Sequence, residues 1–67
     1  MANNKDKLVS TIEKIVTLEP SANNYAKLAA VYREAGNFAQ AKTAVLKAIE
    51  LDPSLKSDGE KFLQTLK

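Results

Sequence analysis

Cysteine, histidine and tryptophan are all absent from this sequence of 67 residues. Without cysteine no disulfide can form, and without cysteine and histidine the usual ligand sets for zinc and iron are missing. We therefore expect no metal site and no cofactor, and we favour an intracellular, cytoplasmic setting. The same absences remove the ordinary pairing of a nucleophile with a base, so we expect no catalytic residue and no enzymatic activity.

Glycine and long apolar runs are also scarce. The two glycines, Gly36 and Gly59, make no glycine-rich phosphate loop. No segment approaches the roughly 20 apolar residues that a membrane-spanning helix needs. The N-terminal stretch MANNKDKLVS holds no apolar run of signal-peptide length. We therefore expect a soluble chain with no membrane partner.

Charge of neither sign dominates, because 10 lysines and arginines face 8 aspartates and glutamates, a formal charge of +2. The two signs are interspersed, which is typical of a solvated surface. A nucleic-acid binder would more often show a basic stripe with stacking aromatic residues. Here the aromatic residues have core spacing and no basic cluster beside them, and we expect no nucleic-acid partner. These residues are Tyr25, Tyr32, Phe38 and Phe62.

Apolar residues recur at helical spacing in four segments, so the sequence predicts four helices and no strand. The first helix runs from a cap at Asn3 or Asn4 to a stop at Pro20. The second starts after Ser21 and ends at Gly36, which can take the left-handed conformation needed just past a helix end. The predicted inner faces are Leu8, Ile12, Ile15 and Val16 in the first helix, and Tyr25, Leu28, Ala29, Tyr32 and Ala35 in the second.

Each of the last two helices is predicted to begin with a capping box, in which two side chains bond each other's backbone N–H groups. The pairs are Asn37 with Gln40 in the third helix and Ser57 with Glu60 in the fourth. Pro53 ends the third helix by disfavouring helical geometry at the preceding residue. The predicted inner faces are Phe38, Ala41, Val45, Ala48 and Ile49 in the third helix, and Phe62, Leu63 and Leu66 in the fourth.

Alanines stand along one face of the third helix, at Ala41, Ala44 and Ala48. Such small side chains bury little apolar area, but they allow another helix backbone to approach very closely. The face therefore predicts a close helical neighbour.

The sequence repeats itself. The residues that recur 33 positions later are Lys14, Leu18, Pro20 and Ser21, which return as Lys47, Leu51, Pro53 and Ser54. A shift of 34 positions matches Leu28 with Phe62, Ala29 with Leu63 and Tyr32 with Leu66. The first and third helices are thus one element, and the second and fourth are another.

The stretch from Ala22 to Pro53 fills a known pattern of aromatic, small and turn residues. The pattern consists of Tyr25, Leu28, Ala29, Tyr32, Gly36, Asn37, Phe38, Ala41, Ala48, Leu51, Asp52 and Pro53. With these residues the stretch resembles a tetratricopeptide repeat. Two positions depart from the family pattern, since Val45 replaces a frequent aromatic residue and Gly59 stands where the fourth helix should match Tyr25.

The resemblance implies an all-α fold in which antiparallel helix-turn-helix pairs stack into a right-handed superhelix. It divides a single tetratricopeptide-like domain, 1–67, into a half-repeat helix at 1–20, a full repeat at 21–53 and a C-terminal capping helix at 54–67.

The resemblance also implies a non-catalytic scaffold for protein–protein interaction. In tetratricopeptide repeats the outer face of this second helix lines a groove that holds an extended peptide or a partner helix. The corresponding residues here are Asn23, Ala26, Lys27, Ala30, Arg33 and Glu34. We expect most from Arg33 and Lys27, because a guanidinium can hold a carboxylate bidentately and an ammonium can reach one as a point charge.

The alternative is self-assembly. Solenoids generally need about three repeats to bury a continuous core, and this sequence offers one helix pair with two half-pairs. Val9 and Leu18 add apolar surface beside the predicted inner face of the first helix. Either two copies stack or exchange helices as a homodimer, or the chain is a fragment of a longer repeat protein.

Overall fold

The computed structural model describes residues 4–66 and consists of helices joined by short turns. The elements are α1 (Asn4–Leu18), α2 (Ala22–Glu34), α3 (Phe38–Leu51), a 3₁₀ turn (Pro53–Leu55) and α4 (Lys56–Gln64). Over this range the backbones of α1 and α2, of α2 and α3, and of α3 and α4 pack together, and no other pair of α-helices does. The helices therefore form a single layer, with extents of 39 × 29 × 13 Å. The predicted all-α fold of antiparallel helix pairs is confirmed.

Ser21 and Gly36 mark the ends of α2 as the sequence predicts. The side-chain oxygen of Ser21 accepts a hydrogen bond from the backbone N–H of Asn24 at 3.2 Å. Gly36 has a φ of +82°, in the left-handed region that a residue without Cβ adopts at little cost. The tight turn that follows brings α3 back antiparallel to α2.

Neither predicted capping box forms. The backbone N–H that Gln40 would have to bond, that of Asn37, instead donates to the carbonyl of Tyr32 at 2.8 Å. Asn37 makes no side-chain capping bond either. At the other predicted box, the 3₁₀ turn leads directly into α4 at Lys56, so Ser57 lies inside the first helical turn. Both predictions were wrong because of the residues before each helix. The carbonyl of Tyr32 already accepts the N–H of Asn37, and α4 has already begun at Lys56, before Ser57.

The alanine face of α3 lies against α2. Ala41 and Ala48 are 0% and 1% exposed, and Ala44 is also buried. On α2, Leu28, Ala29 and Tyr32 are buried, so their predicted place in the core is confirmed. The predicted close neighbour of the alanine face is therefore α2.

On α1 the predicted inner face is partly wrong. Val9 and Val16 are buried and Ile12 packs on the core, whereas Leu8 and Ile15 are 48% and 39% exposed. The helix is apolar on two adjacent faces, and α2 covers only one of them. Composition alone does not distinguish a covered apolar face from an uncovered one.

Gly59 is buried where α4 crosses α3. A Cβ atom at this position would lie 2.8 Å from Cγ1 of Ile49 and closer still to its Cδ1 atom. The departure from the aromatic pattern at Gly59 therefore allows the backbone of α4 to lie close to α3.

Candidate functional site

The six residues predicted to contact a partner all lie on α2, and we call them the α2 face. Asn23, Ala26, Lys27 and Glu34 are exposed, and Ala30 and Arg33 are half-buried. The buried residues of α2 are the interleaved set that packs on the neighbouring helices. The structure thus places all six predicted residues on one helix.

A cleft of about 170 Å³ opens between α2 and α4, and we call it the α2–α4 cleft. Ala26 belongs both to the α2 face and to the wall of the cleft, and Phe62 and Gly59 lie on the opposite side. Val45, Ala48 and Ile49 of α3 contribute its apolar lining, together with Ala29 and Leu55. Asp58 is the charged residue among those that line it. The cleft therefore suits an apolar group.

Arg33 spans from α2 to α4 at this site. Its guanidinium carbon lies 4.7 Å from the centroid of the Phe62 ring, which is the geometry of a cation–π contact. Its Nη1 donates a hydrogen bond to Oγ1 of Thr65 at 3.1 Å, and Oγ1 of Thr65 donates in turn to the carbonyl of Phe62 at 2.6 Å. The sequence assigned Arg33 to a partner carboxylate alone. The structure adds an intramolecular role, in which Arg33 holds α4 beside α2.

Lys27 points away from the core as an exposed residue. Among residues 4–66 the ion pair that forms is between Lys47 and Glu50 of α3, at 3.6 Å. Lys27 therefore has no carboxylate partner within this range. Asn23 and Glu34 likewise make no side-chain hydrogen bond to another described residue, whereas Ala26 and Arg33 meet α4.

Phe62 and Thr65 were not among the predicted site residues. The helical spacing predicts a core position for Phe62, and nothing in the spacing of Thr65 distinguishes it from a solvated residue. The 34-residue shift between α2 and α4 was the available signal, because equivalent helices of stacked repeats lie side by side.

On the opposite side of α2, the hydroxyl of Tyr32 donates a hydrogen bond to a carboxylate oxygen of Glu13 on α1. Burial of the phenol, this hydrogen bond and the negative charge of Glu13 together raise the pKa of Tyr32 to about 12. The phenol therefore keeps its proton at neutral pH and serves as a hydrogen-bond donor between two helices.

A metal site or a membrane-spanning helix would each leave a recognisable structural feature within residues 4–66. No group of three or more acidic side chains comes together there to hold a metal ion. None of the helices in that range combines the length and apolar character that crossing a bilayer requires.

Comparison with known families bears on the same stretch of chain. A family profile described as tetratricopeptide repeat matches residues 22–55, which contain α2, α3 and the 3₁₀ turn and make up about half of the chain. No curated protein and no solved structure matched the chain significantly.

Proposed function

Because the chain belongs to the tetratricopeptide repeat family, which is generally non-catalytic and mediates protein–protein interactions, we propose that it is a non-catalytic interaction scaffold. Its partner is a protein segment, either an extended peptide or a helix, that binds along the α2 face. The observation that carries this proposal is the α2–α4 cleft, which opens directly beside that face.

The cleft supports an apolar anchor on the partner. Its lining is almost entirely aliphatic and aromatic, with Ala26 on one wall and Phe62 on the other. An engineered apolar cavity of about 150 Å³ accommodates benzene. A volume of about 170 Å³ therefore suits one branched or aromatic side chain of the partner.

The charges along the cleft support a direction for the segment. Arg33 lies at the end where the C-terminal part of α4 meets α2, and Asp58 lies in the first turn of α4 at the other end. A carboxylate on the partner would be favoured near Arg33 and Lys27, and a cation or amide near Asp58. The proposed ligand is thus a segment with an apolar residue between an acidic and a basic or amide group.

The test begins with selection of peptides from a random library against the 67-residue chain. Binding of the selected peptides is then measured by calorimetry for Lys27→Glu and Ala26→Gln, which alter the α2 face and the cleft wall. Lys14→Glu, the same charge reversal at an exposed position on α1, is the matched control. We expect each site variant to weaken binding by about tenfold or more, and the control to bind as the parent does.

Two results would contradict the proposal. One is a selected peptide that binds Lys27→Glu and Lys14→Glu equally well and shifts no amide resonances of α2 or α4. The other is a library that yields no binder at all. Nucleic acid and enzyme substrates form no part of the proposal.

A second candidate, self-association, is supported by a separate observation. Leu8 and Ile15 of α1 are exposed apolar residues that lie outside the α2 face. Leu8 and Ile15 are therefore available to contact a second copy.

A further inference from the structure

The helices of this chain correspond in pairs, and the structure gives the same shifts as the sequence. α1 ends at Leu18 and α3 ends at Leu51, a shift of 33 positions, whereas α2 begins at Ala22 and α4 begins at Lys56, a shift of 34. α1 is therefore an element of the α3 type, and α4 is an element of the α2 type. Within residues 4–66 one complete hairpin of the two types forms, α2 with α3, and it serves as a template for the other two helices.

The face of α3 that packs on α2 has an uncovered counterpart on α1. In α3 that face consists of the buried residues Ala41, Ala44 and Ala48. The residues 33 positions earlier are Leu8, Thr11 and Ile15, which we call the α1 patch. All three are exposed, with Leu8 at 48% and Ile15 at 39%. No described residue covers the patch as α2 covers the alanines.

The face of α2 that packs in the core has a half-covered counterpart on α4. On α2 that face consists of the buried residues Leu28, Ala29 and Tyr32. The residues 34 positions later are Phe62, Leu63 and Leu66, which we call the α4 patch, and each is only half-buried. An open groove of about 450 Å³ runs along this patch, with Phe38, Ala39 and Lys42 of α3 on its other side.

We propose that the α4 patch of one copy packs against the α1 patch of a second copy, in the manner in which α2 packs against α3 within each copy. The inference deepens the self-association candidate, and the α4 patch shares Phe62 with the α2–α4 cleft. Its occupant is a second copy of this chain because the two patches are the two halves of an interface that the chain already forms.

The side chains of the α1 patch fit an interface without a covalent link. The connecting turn at Gly36 holds α2 and α3 together, so alanines suffice between them. Separate copies lose translational and rotational freedom on association, and larger apolar contacts are needed to offset that loss. Leu8 and Ile15 supply such contacts where the template has Ala41 and Ala48.

The proposed contact is heterologous, since each copy uses one patch for each neighbour. Such contacts produce open chains of copies, or rings where the rotation closes. A variant in which one patch is blocked should therefore be unable to assemble alone. Two variants blocked at different patches should form a dimer with one another, because only one intact pair of patches remains between them.

The experiment is sedimentation velocity over a wide dilution series, with helicity followed by circular dichroism. Leu8→Lys blocks the α1 patch and Leu66→Lys blocks the α4 patch. Leu51→Lys is the matched control, because Leu51 is 45% exposed and belongs to neither patch. If Leu66→Lys loses helicity, Leu66→Gln, of similar size and without charge, takes its place.

We expect the parent and Leu51→Lys to increase in mass with concentration, each blocked variant to remain a folded monomer, and their equimolar mixture to form a dimer. Three results would overturn the proposal. The parent could be monomeric throughout. Leu66→Lys could still dimerise while Leu8→Lys does not, which would indicate an α1–α1 contact. A dimer could persist in both blocked variants, which would indicate helix exchange. Peptide binding by monomeric Leu8→Lys tests the α2 face independently.

Discussion

The hydroxyl of Tyr32 on α2 donates a hydrogen bond to the carboxylate of Glu13 on α1, which joins the two helices through polar side chains as well as apolar contacts. Tyr32 is only 8% exposed, so its hydroxyl needs a partner within the protein. The remaining contacts of α1 come from a short apolar row that includes Val9 and Val16. The bond therefore adds a polar contact to the apolar packing that attaches α1.

The Tyr32–Glu13 bond predicts a loss of stability at high pH. The folded chain raises the pKa of Tyr32 from 10.0 to about 12, so it holds the phenol proton more tightly than the unfolded chain does. The resulting stabilisation is complete below about pH 10 and is lost as the pH rises through 12. We expect the free energy of unfolding to fall over this window by on the order of 2 kcal/mol.

Urea denaturation at a series of pH values measures this fall. The comparison is between Tyr32→Phe, which removes the bond, and Tyr25→Phe, which keeps it, so that effects of pH common to both variants cancel. The fall should be smaller in Tyr32→Phe by the amount stated above. Equal pH dependence in the two variants would show that the bond contributes nothing.

The close contact between Gly59 and Ile49 can be tested by a double-mutant cycle. We expect the effect of Gly59→Ala on the free energy of unfolding to change sign when Ile49 is replaced by alanine. A methyl group at position 59 would overlap Ile49, and overpacking typically costs about 1–3 kcal/mol. Alanine in a helix is favoured over glycine by about 1 kcal/mol, which partly offsets that cost. We expect Gly59→Ala to destabilise the parent by about 1 kcal/mol, and to stabilise the Ile49→Ala variant by a similar amount.

Thermal and urea unfolding of the four chains in this cycle give the coupling energy. A Gly59→Ala effect of the same sign and size in both backgrounds would mean that Ile49 is not the source of that effect.

The alanine face of α3 predicts that Ala48→Leu will be destabilising. Ala48 is 1% exposed between α3 and its neighbours, so a larger side chain would force the helices apart. We expect a loss of about 1–3 kcal/mol in the free energy of unfolding. Gln40→Leu, which introduces a leucine at an exposed position of α3 outside both patches, should stay within about 0.5 kcal/mol of the parent. A melting temperature of Ala48→Leu at or above that of the parent would refute this expectation.

Removal of the Arg33 side chain should loosen α4 locally. Its contact with Phe62 and its bond to Thr65 connect α4 to α2, and a cation–π contact at such a site is worth about 0.5–1 kcal/mol. We expect Arg33→Ala to speed amide hydrogen exchange in α4 with little change in α1. Arg33→Lys keeps the charge but loses the planar stacking group. Its exchange rates in α4 should therefore lie between those of the parent and those of Arg33→Ala. Uniformly faster exchange in all helices would indicate a global effect instead.

The sequence was sufficient for the number, order and pairing of the helices. Ser21 and Gly36 act through bonds and backbone angles within a few residues, so local chemistry alone predicted the ends of α2. The alanine spacing in α3 predicted a close neighbour, because only another helix could cover so small a face.

The features that the sequence could not predict depend on contacts between helices. Leu8 and Ile15 are as apolar as the buried valines of α1, and only the position of α2 decides which of them are covered. The carbonyl of Tyr32 accepts a hydrogen bond from the N–H of Asn37, which the predicted capping box required. The contact between Arg33 and Phe62 joins residues far apart in sequence, and no local spacing announces it.

The single layer of helices has a consequence for how the chain folds. Because each helix backbone packs only on its neighbours in sequence within residues 4–66, most contacts close short loops and require little chain entropy to be lost in advance. We expect rapid folding without a slow topological step. The central hairpin, covered on both sides, should be the last part to open, while α1 and α4 fray first. Native-state hydrogen exchange should therefore show protection that declines from the middle of the chain toward both ends.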